Sequence, residues 1–149
     1  EISADRWDSV MSVNLKGIFL CCRSVYSYMQ KRGGGSIVNI SSSRIWEGNP
    51  NRLDYTTSKA GVVGLTRALA REIGDDNISV NAITPGLTMS ETQLASSSSN
   101  YLGGKDERKC FKRPQTPDDL VGAVIFLLSD AAAFMTGQTV NVDGGTYMH

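Results

Sequence analysis

An α/β fold built on a parallel sheet is predicted by three observations. Three short β-branched runs, residues 36–41 (SIVNIS), 78–83 (ISVNAI) and 138–142 (QTVNV), are rich enough in Ile and Val to be buried strands. Long amphipathic runs stand before and between them, and strands joined through helices pair in parallel. The balance of 40% hydrophobic to 20% charged residues over 149 positions is that of a globular chain.

The elements follow in order. Ser3 is placed to cap a helix, Asp5 lies in its first turn, and Trp7, Met11, Asn14, Ile18, Cys22, Val25 and Met29 recur at steps of three and four. Three glycines, Gly33 to Gly35, stop this helix near Arg32. They follow a helix and precede a strand, the reverse of a dinucleotide-binding turn. After the first strand and a polar loop, Val62, Leu65, Leu69 and Ile73 form the apolar stripe of a second helix, which ends at the run GDDN. The second strand closes at Pro85 and Gly86, and a serine-rich stretch to Gln115 is long enough for a substrate lid. Thr116 as N-cap and Pro117 at the first helical position start a third helix, which leads to the last strand and the turn DGG.

Charge and cysteine content narrow the function. Lys and Arg number 15, Asp and Glu number 15, and the formal net charge is zero, so no basic footprint for nucleic acid or anionic lipid exists. The three cysteines fit neither a disulfide framework nor a paired zinc spacing, and read as reduced thiols of a cytoplasmic protein. His149, the one histidine, makes neither a metal site nor a triad, and no G-x-S-x-G elbow supports a serine hydrolase. Three strands form a narrow sheet, and parallel sheets need both faces covered. The sequence, which opens at Glu1, is therefore expected to be the C-terminal part (1–149) of one domain. A missing half of several strands would add on the order of 100 residues.

The chemistry gathers at residues 53–72, LDYTTSKAGVVGLTRALARE, where Tyr55 and Lys59 stand one helical turn apart on one face. A phenol in water titrates near about 10, too high for ready proton exchange at neutral pH. A cation about 4 Å from a phenolate favours it by roughly 4 kcal/mol at an effective dielectric of about 20. Ser42 lies thirteen residues before Tyr55, at the C-terminal end of the first strand, where open α/β sheets collect ligands. Asn14 interrupts an apolar stripe, and a buried amide left unbonded costs on the order of 1–3 kcal/mol, so it needs a partner. Gly17, one turn on, suggests close packing or a bend.

Together VNLKG, GSIVNISS, YTTSK, NAITPG and TGQTVNVDGG, in this order, resemble the C-terminal half of a short-chain dehydrogenase/reductase. The resemblance spans nearly the whole chain and weakens over 87–115. It implies a Rossmann-like doubly wound parallel sheet and a hydride exchange between NAD or NADP and a secondary alcohol or ketone. Tyr55 would be the acid/base. Lys59 would lower the phenol's pKa and hold the nicotinamide ribose, Ser42 would bind the substrate oxygen, and Asn14 would support a proton-relay water. Pro85 and Gly86 would let the backbone pass close to the nicotinamide, and Thr88 and Ser90 would offer it hydroxyls. Thr88 stands where the family usually has an aliphatic residue, and Ser90 where it has threonine.

The glycine-rich turn and the residue that tells NAD from NADP are expected outside this sequence. Leu87, Met89, Leu94, Tyr101 and Leu102 suggest a small, partly apolar substrate rather than a sugar phosphate. Val10, Val13 and Leu20 add a second apolar stripe to the first helix, which implies a homo-oligomer, a dimer or a tetramer. A non-catalytic structural or regulatory subunit of the same fold is the alternative.

Overall fold

The computed structural model describes residues 1–48, 50–91 and 108–148. Leu94, Tyr101, Leu102, His149 and most of the expected lid lie outside the described residues. The first helical run divides into α1 (Ala4–Met11), a π-helical turn (Ser12–Lys16) and α2 (Gly17–Arg32). Ser3 caps α1 as expected, its Oγ accepting the Arg6 N–H at 3.3 Å. In the π turn the Gly17 N–H reaches back to the Ser12 carbonyl, which inserts one extra residue into the spiral. Gly33, left-handed at φ +86°, closes α2 through the Gln30 carbonyl, so the glycine run acts as a helix stop.

Strand β1 (Gly35–Ile40) leads through a 3-10 turn (Ser43–Trp46) to α3 (Leu53–Ile73), then β2 (Ile78–Pro85), α4 (Asp118–Leu128) and β3 (Thr139–Val142). The order is β1-β2-β3, all parallel, with Ile37 opposite Val80 and Ile83 opposite Val140. Strand alternation sends the apolar residues to both faces. Ile37, Ile78 and Val80 pack against Tyr26 and Met29 of α2 and Leu69, Ala70 and Ile73 of α3. Val38, Ile83 and Val140 face Val124 and Leu127 of α4. The fully buried Ile78, Val80, Ile83 and Leu127 each contribute about 1.5–3 kcal/mol of transfer free energy.

Thr116 differs from expectation. Its side chain does not cap α4; its N–H and hydroxyl both donate to the Asp119 carboxylate. Asp119 is a turn further on and is itself held by Arg113, which keeps that carboxylate well below its usual range. The reach-back half of a capping box has replaced the hydroxyl cap. Among the described residues no helix is long and apolar enough to cross a membrane.

Candidate active site

Parallel pairing brings the C-terminal ends of all three strands to one edge. Ser41 and Ser42 follow β1 and Gly86 follows β2. The Ser41 N–H donates to the Ile83 carbonyl at 2.8 Å and Gly86 N–H to the Val142 carbonyl at 3.0 Å, which ties the three ends together. Helix α3 begins at this edge. Its first turn is fixed by Asp54, a fully buried carboxylate that accepts from the Arg6 Nε and the Tyr55 N–H, both at 2.8 Å. The Arg6 guanidinium first, and then the Tyr55 amide, hold the Asp54 carboxyl below the usual carboxylate range.

Tyr55 is half-buried, with no hydrogen bond to its hydroxyl among the described residues. Lys59 Nζ lies 6.0 Å from the Tyr55 ring centroid and donates to the Ile40 carbonyl at 3.0 Å. Burial pushes the Lys59 ammonium below the ordinary lysine value. The Lys59 carbonyl in turn accepts from the Ser41 hydroxyl at 2.7 Å. Ser42 thus leaves a strand end bolted to the helix that carries Tyr55 and Lys59. Ser42 is buried, and its Oγ accepts the Arg44 N–H at 3.3 Å while its own proton stays available to donate.

Asn14 sits in the π turn. Its Nδ2 donates to the Ser58 hydroxyl at 3.1 Å, and Ser58 donates to the Tyr55 carbonyl at 2.7 Å. Its partner is therefore a side chain 44 residues away rather than local backbone. The π turn seats against α3 at Gly61, where a Cβ would lie 2.8 Å from the Leu15 side chain. The bend suggested by Gly17 is the extra residue that aims Asn14 at Ser58.

Gly86 is accounted for by the protein itself. A Cβ there would lie 2.6 Å from Gln115 Oε1 and 2.9 Å from the Asp143 Cβ. Gln115, buried, donates through Nε2 to the Val142 carbonyl at 2.7 Å, and its own carbonyl accepts the Met89 N–H at 2.8 Å. Its Oε1 has no hydrogen-bond partner among the described residues. The Thr88 hydroxyl donates to the Gly86 carbonyl at 3.1 Å, and the Ser90 N–H to the Thr88 carbonyl. Sequence reasoning missed Arg6, Asp54, Ser58 and Gln115. The signals available were an acidic residue in the first turn of α3 and a small hydroxyl one turn after Tyr55.

The residues present fit a nicotinamide nucleotide. The Lys59 ammonium makes one hydrogen bond among the described residues, which leaves donors for a ribose diol. Thr88 keeps acceptor capacity beside the turn. Among the described residues no His, Cys, Asp and Glu group could hold a metal ion.

Residues 1–147 match the family described as enoyl-(acyl carrier protein) reductase. The chain is 44% identical over 147 residues to a probable galactose dehydrogenase of Rhizobium meliloti, covering 98% of this chain and 57% of that protein. It is 41% identical over 142 residues to a 3-oxoacyl-[acyl-carrier-protein] reductase of Staphylococcus epidermidis, covering 95% and 58%. A crystal structure of a putative NAD(P) dependent gluconate 5-dehydrogenase from Beutenbergia cavernae, with bound NADP, superposes with a TM-score of 0.91 at 39% identity, over 98% of this chain and 59% of that one. The chain thus spans somewhat more than half the length of the relatives it matches.

Proposed function

Because the chain belongs to the short-chain dehydrogenase/reductase family, we propose that the full-length protein is a nicotinamide-dependent oxidoreductase interconverting a secondary alcohol and a ketone. The observation that carries this reading is the seating of Lys59, half-buried, 6.0 Å from the Tyr55 ring centroid and anchored to the strand end that delivers Ser42. An ammonium at that place stabilises a phenolate. Tyr55 takes the alcohol proton in oxidation and returns it in reduction. Ser42, its acceptor side occupied by the Arg44 amide, donates to the substrate oxygen and steadies the charge that develops on it. Asn14 holds the first turn of α3 through Ser58 and supports a water that relays the proton to solvent.

Tyr55, Lys59, Pro85, Gly86, Thr88 and Ser90 would hold NAD or NADP. The bound nicotinamide supplies the hydride-accepting or hydride-donating ring. The relatives named above carry descriptions that name galactose, a 3-oxoacyl-[acyl-carrier-protein] and gluconate, so one shared framework serves different substrates. A homo-oligomer is part of the same reading. Val13, Phe19, Leu20 and Tyr28 are exposed on the first helices. Beside them Met11, Leu15, Phe19 and Leu65 line an open groove of about 670 Å³.

The test is a spectrophotometric assay of the full-length protein with NAD and NADP against a panel of secondary alcohols and ketones. Cofactor-dependent turnover is expected for some members. Stoichiometric cofactor binding with no turnover across the panel would favour the non-catalytic alternative.

A further inference from the structure

The loop after Ser42 is closed at both ends. The Ser42 carbonyl accepts the Ile45 N–H, and the Arg44 carbonyl accepts the N–H of both Glu47 and Gly48. Glu47 ends this turn, and its side chain, about one-fifth exposed, is the meeting point of three separate parts of the chain. Arg108 Nη1 donates to Glu47 Oε1 at 2.8 Å. Arg44 Nη1 approaches Glu47 Oε2 at 3.9 Å. Burial first, and then the neighbouring Glu47 carboxylate, push the Tyr147 phenol up to about 12, and the Arg108 guanidinium lies 5.3 Å above the Tyr147 ring.

Both outer partners arrive on rigid supports. The buried Asp143 carboxylate collects the N–H groups of Gly145, Thr146 and Tyr147 at 2.9, 3.1 and 2.9 Å, which fixes the backbone delivering Tyr147. The segment after Arg108 is pressed onto the double glycine that follows β3. Phe111 N–H donates to the Gly144 carbonyl at 3.0 Å, and Cys110 Sγ to that of Gly145 at 3.4 Å. A Cβ at Gly144 would lie 2.6 Å from the Lys109 side chain, and one at Gly145 2.8 Å from Cys110 Sγ. Both glycines are left-handed, at φ +70° and +77°.

We infer that Glu47 is a positioning residue for Ser42: through Arg108 and Tyr147 it fixes the far end of the Ser43–Trp46 turn, and so the direction in which the Ser42 hydroxyl meets the substrate. This rests on the proposed dehydrogenase reading. It predicts an effect on substrate rather than on cofactor, because the groups assigned to the cofactor belong to α3 and to the turn after β2. Orientation of a single donor is enough to matter, since small misplacements of a positioned group cost large factors in rate.

The full-length protein, Glu47→Leu and Glu47→Gln are compared by steady-state kinetics, cofactor titration and amide hydrogen exchange. In Glu47→Leu the Arg44 and Ile45 amides should exchange at least about tenfold faster. The kcat/KM for substrate should fall about tenfold, while cofactor affinity stays within about twofold of wild type. Glu47→Gln keeps an acceptor for Arg108 and should recover most of the loss. Unchanged exchange at Arg44 and Ile45, or faster exchange with an unchanged kcat/KM, would overturn the inference. A wild-type protein that turns over no alcohol would instead defeat the proposed reaction, and the exchange comparison alone would then decide whether Glu47 fixes the turn.

Discussion

Lys59 reaches from the helix that carries Tyr55 to the carbonyl of Ile40, 3.0 Å away at the end of the strand that delivers Ser42. That one contact joins the three side chains assigned to chemistry. A lysine one turn after a tyrosine on an exposed helix would sample many rotamers, whereas this one spends a donor on a strand carbonyl and holds a defined place near the ring. Burial at that place disfavours its charge, and on the proposed reading a phenolate on Tyr55 would be the compensating partner.

Tyr55→Phe removes the proposed proton carrier while keeping the ring's volume. Among the described residues the Tyr55 hydroxyl has no hydrogen bond, so the melting temperature should be close to wild type. Turnover in the full-length protein should fall by at least about 10²-fold. Near-normal turnover would remove Tyr55 from the mechanism.

Gly86→Ala tests whether the turn after β2 is shaped by protein packing. The added methyl would meet Gln115 Oε1 at 2.6 Å and the Asp143 Cβ at 2.9 Å. Overpacking of this kind costs about 1–3 kcal/mol, and denaturant unfolding should show it together with weaker cofactor binding. Adding Gln115→Ala should restore part of the stability, since it removes the nearer of the two obstacles. A Gly86→Ala protein that unfolds and binds like wild type would mean the turn has room to shift.

The alternation of strands and helices was legible because β-branched runs and apolar stripes have distinct periods, and the strand positions fall within two residues of expectation. Three other features were not. The π turn at Ser12–Lys16 adds one residue without disturbing the three-and-four spacing of Met11, Asn14 and Ile18, so pattern alone reads a continuous helix. The Arg6–Asp54 pair joins residues 48 apart, and nothing local in either segment names the other. Gln115 lies in a polar stretch without periodicity, and its burial comes from β3 and the Gly86 turn folding over it. For the site, the family pattern marked Ser42, Tyr55, Lys59 and Asn14. Of their supports, Asp54 and Ser58 leave only a weak local signal at the start of α3, and Gln115 is visible only once tertiary contacts exist.

Asp54→Asn should expose the support under the first turn of α3. Asp54 has a folded-state pKa depressed chiefly by Arg6 and then by the Tyr55 amide. Such a carboxylate contributes stability that is fully present above the unfolded value of about 3.9 and is lost as pH falls through the folded value. The variant should melt lower than wild type at neutral pH, by roughly 5 °C. The difference should narrow below about pH 4, as wild-type Asp54 becomes protonated. A gap that is constant from neutral to acid pH would show that shape rather than charge makes Asp54 necessary.

Lys59→Met separates the two duties proposed for the ammonium. Losing its donors should weaken cofactor binding, by roughly 10-fold or more if a charge-assisted hydrogen bond to the ribose is removed. Losing its charge also removes the cation held 6.0 Å from the Tyr55 ring centroid. On the proposed reading the transition state shares negative charge between Tyr55 and the substrate oxygen in both directions, so turnover at saturating cofactor should still fall by at least about 10-fold in alcohol oxidation and in ketone reduction alike. A variant whose whole defect disappears at saturating cofactor would assign Lys59 to cofactor binding alone.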